Sequence, residues 1–408
     1  MLKTRLVLER LSQNGGLLDR REQAGRSFLK RFIELLYIQH AEIPDGAPYW
    51  LRTIDRIDFI GMITCSSRYH NNNLRVGSSP GGVSQFMQID AYNDITLAQT
   101  VPGSALGLVI GNGTGAVTPT DERMGSVFGH GRRAADASPV IVESCITGDD
   151  YDSDVYGNYW RSQAFTPRFT HRVTSVRVKI WRVGSPGDLT VRIRAATQAE
   201  YYGAGTRRPG SGADLVTGTI PQASIPTSSP GSWVECTFAT PVDLYTGRLY
   251  FLILSHAGGD TSNHTHWRQD QAGPAYERAV MTRYGSFISD SSNGGGSWGT
   301  SDDRACMFEE YGQSIGEFEI GGTDLVEMNI SNPNGQFSIR RYFANYCGQS
   351  LTVSEAGLAA FMGRIYNSSG YYYSSGDVFL IARDLVSPAV VVNNGEILRV
   401  SYIPQITV

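Results

Sequence analysis

A chain of 408 residues exceeds what one ordinary hydrophobic core organises, so two or three domains are expected. With 46 Gly, 21 Tyr and only 18% charged residues, the composition is that of a β-rich extracellular or virion protein and argues against a helical cytoplasmic enzyme. A formal net charge of −4, with Arg132-Arg133 and Arg207-Arg208 as isolated basic pairs, leaves no broad face for phosphates and excludes nucleic acid as the expected partner.

The opening MLKTRLVLERLSQ lacks the apolar core of a signal peptide, and no apolar run approaches the ~20 residues of a membrane span. Synthesis in a bacterial cytoplasm without export, and no membrane insertion, are therefore expected. Residues 2–11 read as a strand and Asn14-Gly15-Gly16 as a turn. Residues 26–40 read as the one clear helix, because Phe28, Phe32, Leu35, Leu36 and Ile38 recur at three and four. Short strands are expected around 53–65 and 86–89, separated by loops rich in Asn, Ser and Gly. The run GLVIGNGTGAVTPTD over 107–121 has the glycines of a phosphate cradle without its spacing. It carries no Lys-Ser or Lys-Thr, and Val-Thr-Pro opens a helix poorly, so a tight strand-to-strand turn is the better reading.

From 149 to 312 the pattern is of short strands. Val176, Val178 and Ile180 alternate with Arg177 and Lys179, and Leu189, Val191, Ile193 and Ala195 with Thr190, Arg192 and Arg194. Val234, Cys236 and Phe238 alternate with Glu235 and Thr237, whereas residues 249–254 are apolar on both faces, as a central strand requires. Turns at 184–187, 229–232 and 258–260 complete the rhythm of a β-sandwich. The acidic run DDYDSD at 149–154 offers oxygens to calcium but lacks the Gly and Glu of an EF-hand loop, and reads as a solvated linker. His264 and His266 stand on one side of a strand, a plausible metal pair for which spacing supplies no third ligand, so no metal is assigned. Cys65, Cys145, Cys236, Cys306 and Cys347 show no metal or redox spacing and read as small buried hydrophobes. Gly312-Gln313-Ser314-Ile315-Gly316 has the letters of a nucleophile elbow but lies between two strands, so no catalytic residue and no cofactor are assigned.

Two resemblances add to this reading. RVKIWRVGSPGDLTVRIRAA, GADLVTGTIP, SPGSWVECTF, LYTGRLYFLILSHAGGDTSNHTHWR and FEEYG, in that order, resemble a jelly-roll module of phage and environmental bacterial surface proteins, itself similar to carbohydrate-binding sandwiches. GLVIGNGTGAVTPTD before it, and PNGQFSIRRYFANYCGQSLTVSEAGLAAF and VFLIARDLVSPAVVVNNGEILRVSYIPQITV after it, resemble phage and prophage virion proteins in which these phrases are not interrupted. The resemblances imply a mainly β protein: a discontinuous β-rich host domain over 1–148 and 313–408, carrying the N-terminal helix, with an antiparallel jelly roll inserted over 149–312.

They also imply a non-enzymatic structural component of a tailed-phage virion, displayed at the surface as a head decoration, fibre or tail part. Its partners would be other virion proteins, further copies of itself and host surface glycan. A free carbohydrate-binding adhesin is the alternative, and a glycan depolymerase the less favoured one, since it needs paired carboxylates across a groove. Self-association, as a trimer by analogy with phage spikes, is expected through pairable edges at 390–392 and 398–402. In the long polar loops at 201–212 and 286–301, Tyr201, Tyr202 and Trp298 are the candidate ligand-binding rings; filling of the core by Trp298 and Trp267 is the competing reading.

Overall fold

In a computed structural model of the chain, the described residues are 2–25, 84–88, 107–118, 124–195, 209, 214–246, 249–271, 288–301, 304–331, 334–368 and 371–407. They are strand and turn, with one 3-10 turn at Gln222–Ser224 and no α-helix among them. No helix among the described residues is long and apolar enough to cross a membrane. The helix expected over 26–40 and the strand expected over 53–65 lie outside the described residues. The described residues divide into two compact units: one holds those before residue 136 together with Ile315–Val408, the other is Asp136–Ser314.

The first unit begins with β1 (Leu2–Leu11), β2 (Leu17–Gly25), β3 (Ser84–Gln88), β4 (Gly107–Gly111) and β5 (Gly129–His130). The second contributes β6 (Val140–Cys145), β7 (Tyr151–Val155), β8 (Trp160–Phe165), β9 (His171–Val183), β10 (Leu189–Ala195), β11 (Val216–Ile220) and β12 (Ser232–Leu244). It continues with β13 (Tyr250–His256), β14 (His264–Asp270), β15 (Ile288–Ser291), β16 (Gly299–Ser301), β17 (Ala305–Cys306) and β18 (Phe308–Gln313). The first unit then resumes with β19 (Glu317–Ser331), β20 (Asn334–Ala344), β21 (Leu351–Ser368), β22 (Tyr371–Val392) and β23 (Ile397–Thr407).

In the first unit one sheet runs β2-β1-β23-β20-β19-β5, and a smaller one runs β22-β21-β3 with β4 also paired to β21. Strands from both ends of the chain share each sheet: β1 pairs with β23 from Leu2↔Ile406 to Leu11↔Ile397, and β4 with β21 from Gly107↔Ala359 to Gly111↔Glu355. Their inward side chains make one core, in which Leu6, Leu8, Phe343 and Val400 join Leu108, Ile110, Val353 and Leu358. Each such side chain contributes about 1.5–3 kcal/mol through burial.

Of the two edges expected to attract other copies, one is an interior strand and the other is partly capped. Residues 398–402 lie in β23, an interior strand between β1 and β20. Residues 390–392 end β22, at the edge of its sheet, but side chains of β1 and β2 cap carbonyls along it: Arg10 donates to Val391 O (3.0 Å), Arg21 to Pro388 O and Ala389 O (2.9 and 3.1 Å). A carbonyl already accepting a guanidinium is a poor template for strand addition.

In the second unit one sheet runs β11-β10-β13-β8-β15-β16; the other runs β17-β14-β9-β18-β6, with β12 on β9 and β7 on β14. All seven residues of the interior strand β13 are buried, which explains its unbroken apolar run, whereas β10 alternates buried and half-buried as its period of two requires. The sheets meet through Phe165 and Phe308, ring centroids 5.9 Å apart, and through Gln163, whose Oε1 accepts the Cys306 N–H at 2.6 Å. Trp267 is fully buried and donates to Met307 O at 2.9 Å. Cys145, Cys236, Cys306 and Cys347 are free and buried, and burial pushes the thiols of Cys145 and Cys236 up to about 12, so they stay protonated. The acidic run is no linker: residues 151–155 are β7, and β6 pairs with β18, so this unit starts at Asp136 and not at 149.

Candidate functional site

The period of two in β14 sends His264, His266 and Arg268 to one face of the sheet and Thr265, Trp267 and Gln269 to the other. Register then sets their neighbours. His266 stands opposite Asp154 of β7 on one side and Trp181 of β9 on the other, so acid, imidazole and indole form a row across three strands. Trp181 stacks on the His266 ring, centroids 4.0 Å apart and planes at 19°. His266 Nδ1 is 2.9 Å from Asp154 Oδ1, and its Nε2 is 2.9 Å from His264 Nε2. His264 Nε2 lies 3.9 Å from the same Asp154 oxygen, and one donor atom of each residue falls within 4.8 Å of the others.

The electrostatics separate this acid from the rest of the run. Asp149 is held by Lys179 and Arg268, and Asp152 by Arg268 Nη1 (2.8 Å) and Trp181 Nε1 (3.2 Å). Burial opposes charge on Asp149, but the two cations outweigh it and hold its carboxyl below the usual carboxylate range. Asp150 accepts the Gln271 N–H at 2.8 Å. Asp154 is left with its side chain 48% exposed and turned to the imidazoles. Burial lowers the pKa of His266, with Asp154 working against it and His264 with it, so the neutral ring is favoured. Beside the row opens a polar cleft of about 420 Å³ lined by Asp150, Asp152, Asp154, Arg161, His266 and Arg304. Two imidazoles and a carboxylate at the mouth of such a cleft can chelate a cation or pass a proton along the row.

Other polar and aromatic positions fall elsewhere. His256 and Asp260, near the pair in sequence, have different work: His256 bonds Asp188 O (3.0 Å) and Thr265 Oγ1 (2.8 Å), and Asp260 accepts the Ser262 and Asn263 amides of the turn. Ser314 sits between two strands, its N–H bonded to Asp136 at 2.9 Å. Trp298 is buried, 6% exposed, and packs edge-on to Trp160 with centroids 6.5 Å apart, so it has no face to offer a sugar. Tyr201 and Tyr202 lie outside the described residues.

The glycine-rich turn has an internal anion in place of a phosphate. Glu355 of β21, fully buried, accepts amides from Gly113 (3.0 Å), Gly125 (3.1 Å) and Ser126 (2.6 Å), and Arg383 Nε donates to it at 2.9 Å. A Cβ at Gly111 would run into the Ser126 carbonyl, and one at Gly113 into the Glu355 carboxylate. The glycines are thus required by close approach to the protein's own acid.

Sequence reasoning missed Asp154 and Trp181 as partners of the His pair. The alternation of 151–155 and of 177–183 shows which side chains share a face but not which strands are neighbours. No protein-family model matches the chain, and a search of curated proteins finds no match.

Proposed function

We propose that the chain is a structural protein of a tailed-phage particle, displayed on the virion surface, in which the first unit attaches to the particle and the second is the displayed module. One observation carries the reading. The phrases that resemble uninterrupted virion proteins meet in the fold: GLVIG of β4 pairs with EAGLA in β21, and Glu355 of the second phrase receives an amide from the glycine turn of the first. The resemblance thus rests on residues that hold one another, although some 240 positions separate them. We read the two antiparallel sheets of the second unit as the jelly roll of the resembling surface modules. With residues 398–402 in an interior strand and the edge at 390–392 partly capped, we assign contacts between copies in the proposed trimer to side-chain surfaces. The test is an antibody to the second unit applied to purified virions from the phage or prophage that encodes the chain. Gold label at regular surface positions is expected; particles that contain none of the chain by mass spectrometry would overturn the proposal.

A further inference from the structure

A metal pair needs a third donor, and the fold supplies one from a strand more than a hundred residues away. We propose that His264, His266 and Asp154 form a binding site for one divalent transition-metal ion of the zinc class, on the face of the β7-β14-β9 layer beside the polar cleft. The inference does not depend on the virion assignment.

Distance supports it first. In a tetrahedral zinc site with metal–nitrogen bonds of about 2.0–2.1 Å, donor atoms stand roughly 3.3 Å apart. The two Nε2 atoms are 2.9 Å apart, so a few tenths of an ångström of side-chain opening admits the ion. Asp154 Oδ1 is 3.9 Å from His264 Nε2 and rests against the Nδ1 edge of His266, so its half-exposed side chain turns away from Nδ1 to close on the same centre, and the remaining coordination position is left to water from the cleft.

Unsatisfied chemistry supports it second. His264 is 8% exposed, yet its Nδ1 has no hydrogen-bond partner, and the Nδ1 of His266, though close to Asp154, makes no well-directed bond. Two imidazoles that face each other through Nε2 compete for one proton between them, and a cation between the lone pairs removes that conflict. The site is also held in place before any ion arrives. Trp181 fixes the plane of His266, while Asp149 and Asp152 are engaged by Lys179 and Arg268, so the acid left to meet a cation is the one aimed at the rings. Two nitrogen donors with one oxygen favour zinc, nickel, cobalt or copper over calcium or magnesium.

The experiment is titration of the full chain, first stripped with a chelator, with Zn²⁺ by calorimetry and with Co²⁺ by visible absorption. One Zn²⁺ per chain and the absorption of a low-coordinate Co²⁺ centre are expected. The double variant His264→Gln, His266→Gln should weaken binding at least a hundredfold, and Asp154→Asn tenfold to a hundredfold. Asp154 is half exposed, so its variant keeps the test valid even if the histidine variant fails to fold. Absence of Zn²⁺ binding by the wild type, or binding that Asp154→Asn leaves unchanged, would overturn the proposed ligand set.

Discussion

Glu355 shows how one side chain decides what a glycine-rich motif is for. Its carboxylate is buried with three amides and Arg383 around it, so Glu355→Ala would strand a buried guanidinium and leave the amides without their acceptor. The expected loss is about 3–5 kcal/mol, measured by denaturant unfolding, with Glu355→Gln losing less because it keeps an acceptor in place. The second unit has a comparable residue in His171, fully buried with Nε2 2.6 Å from Glu310 Oε1. Burial is the largest influence on this ring and opposes its charge, but Glu310, by charge and hydrogen bond, outweighs it, and the pKa is raised. Because the folded value is the higher one, the stabilisation is fully present below the unfolded pKa of about 6.5 and is lost as pH rises through the folded value. Thermal melts should therefore show wild type and His171→Gln furthest apart near pH 6 and converging at alkaline pH. A constant gap would mean that the ring is neutral throughout.

Among the elements, β6 and β7 depart furthest from expectation. β7 falls on the acidic run read as a linker and β6 on a stretch assigned to the host domain, yet each is a paired strand of the second unit. The pairing of β6 leaves residues 308–312 of β18 covered on both sides, by β9 and by β6. A fragment of residues 136–314 should accordingly melt in one cooperative transition at a higher temperature than a fragment of 149–312, which exposes one edge of β18 and lacks the buried side chains of Val142 and Cys145. Equal melting temperatures would show that β6 adds nothing to the unit. Trp181, on β9, has its ring engaged with His266, which ties the long central strand to the candidate metal site.

For the whole molecule, each unit has its own core and its own buried ion pair. In calorimetry of the full chain, Glu355→Gln should lower one transition and His171→Gln the other, with little cross-effect. A single transition shifted equally by both would show that the units unfold together. The same division fits the proposed role, since a module with its own core can be displayed without perturbing the unit that attaches.

Alternation of apolar and polar residues, with Gly, Pro and Asn at the turns, was enough by itself to establish a mainly β protein, to place strands such as Leu189–Ala195 and Tyr250–His256, and to mark His264 and His266 as sharing a face. These are local properties, set by the two-residue repeat of the pleat. Only the tertiary structure decided that Asp154 faces His266, that Glu355 fills the glycine turn, that β23 is an interior strand and that Trp298 is buried. Strand neighbours and register are chosen by the packing of side chains far apart in the chain, and a repeat of two residues carries no record of which distant strand completes the pair.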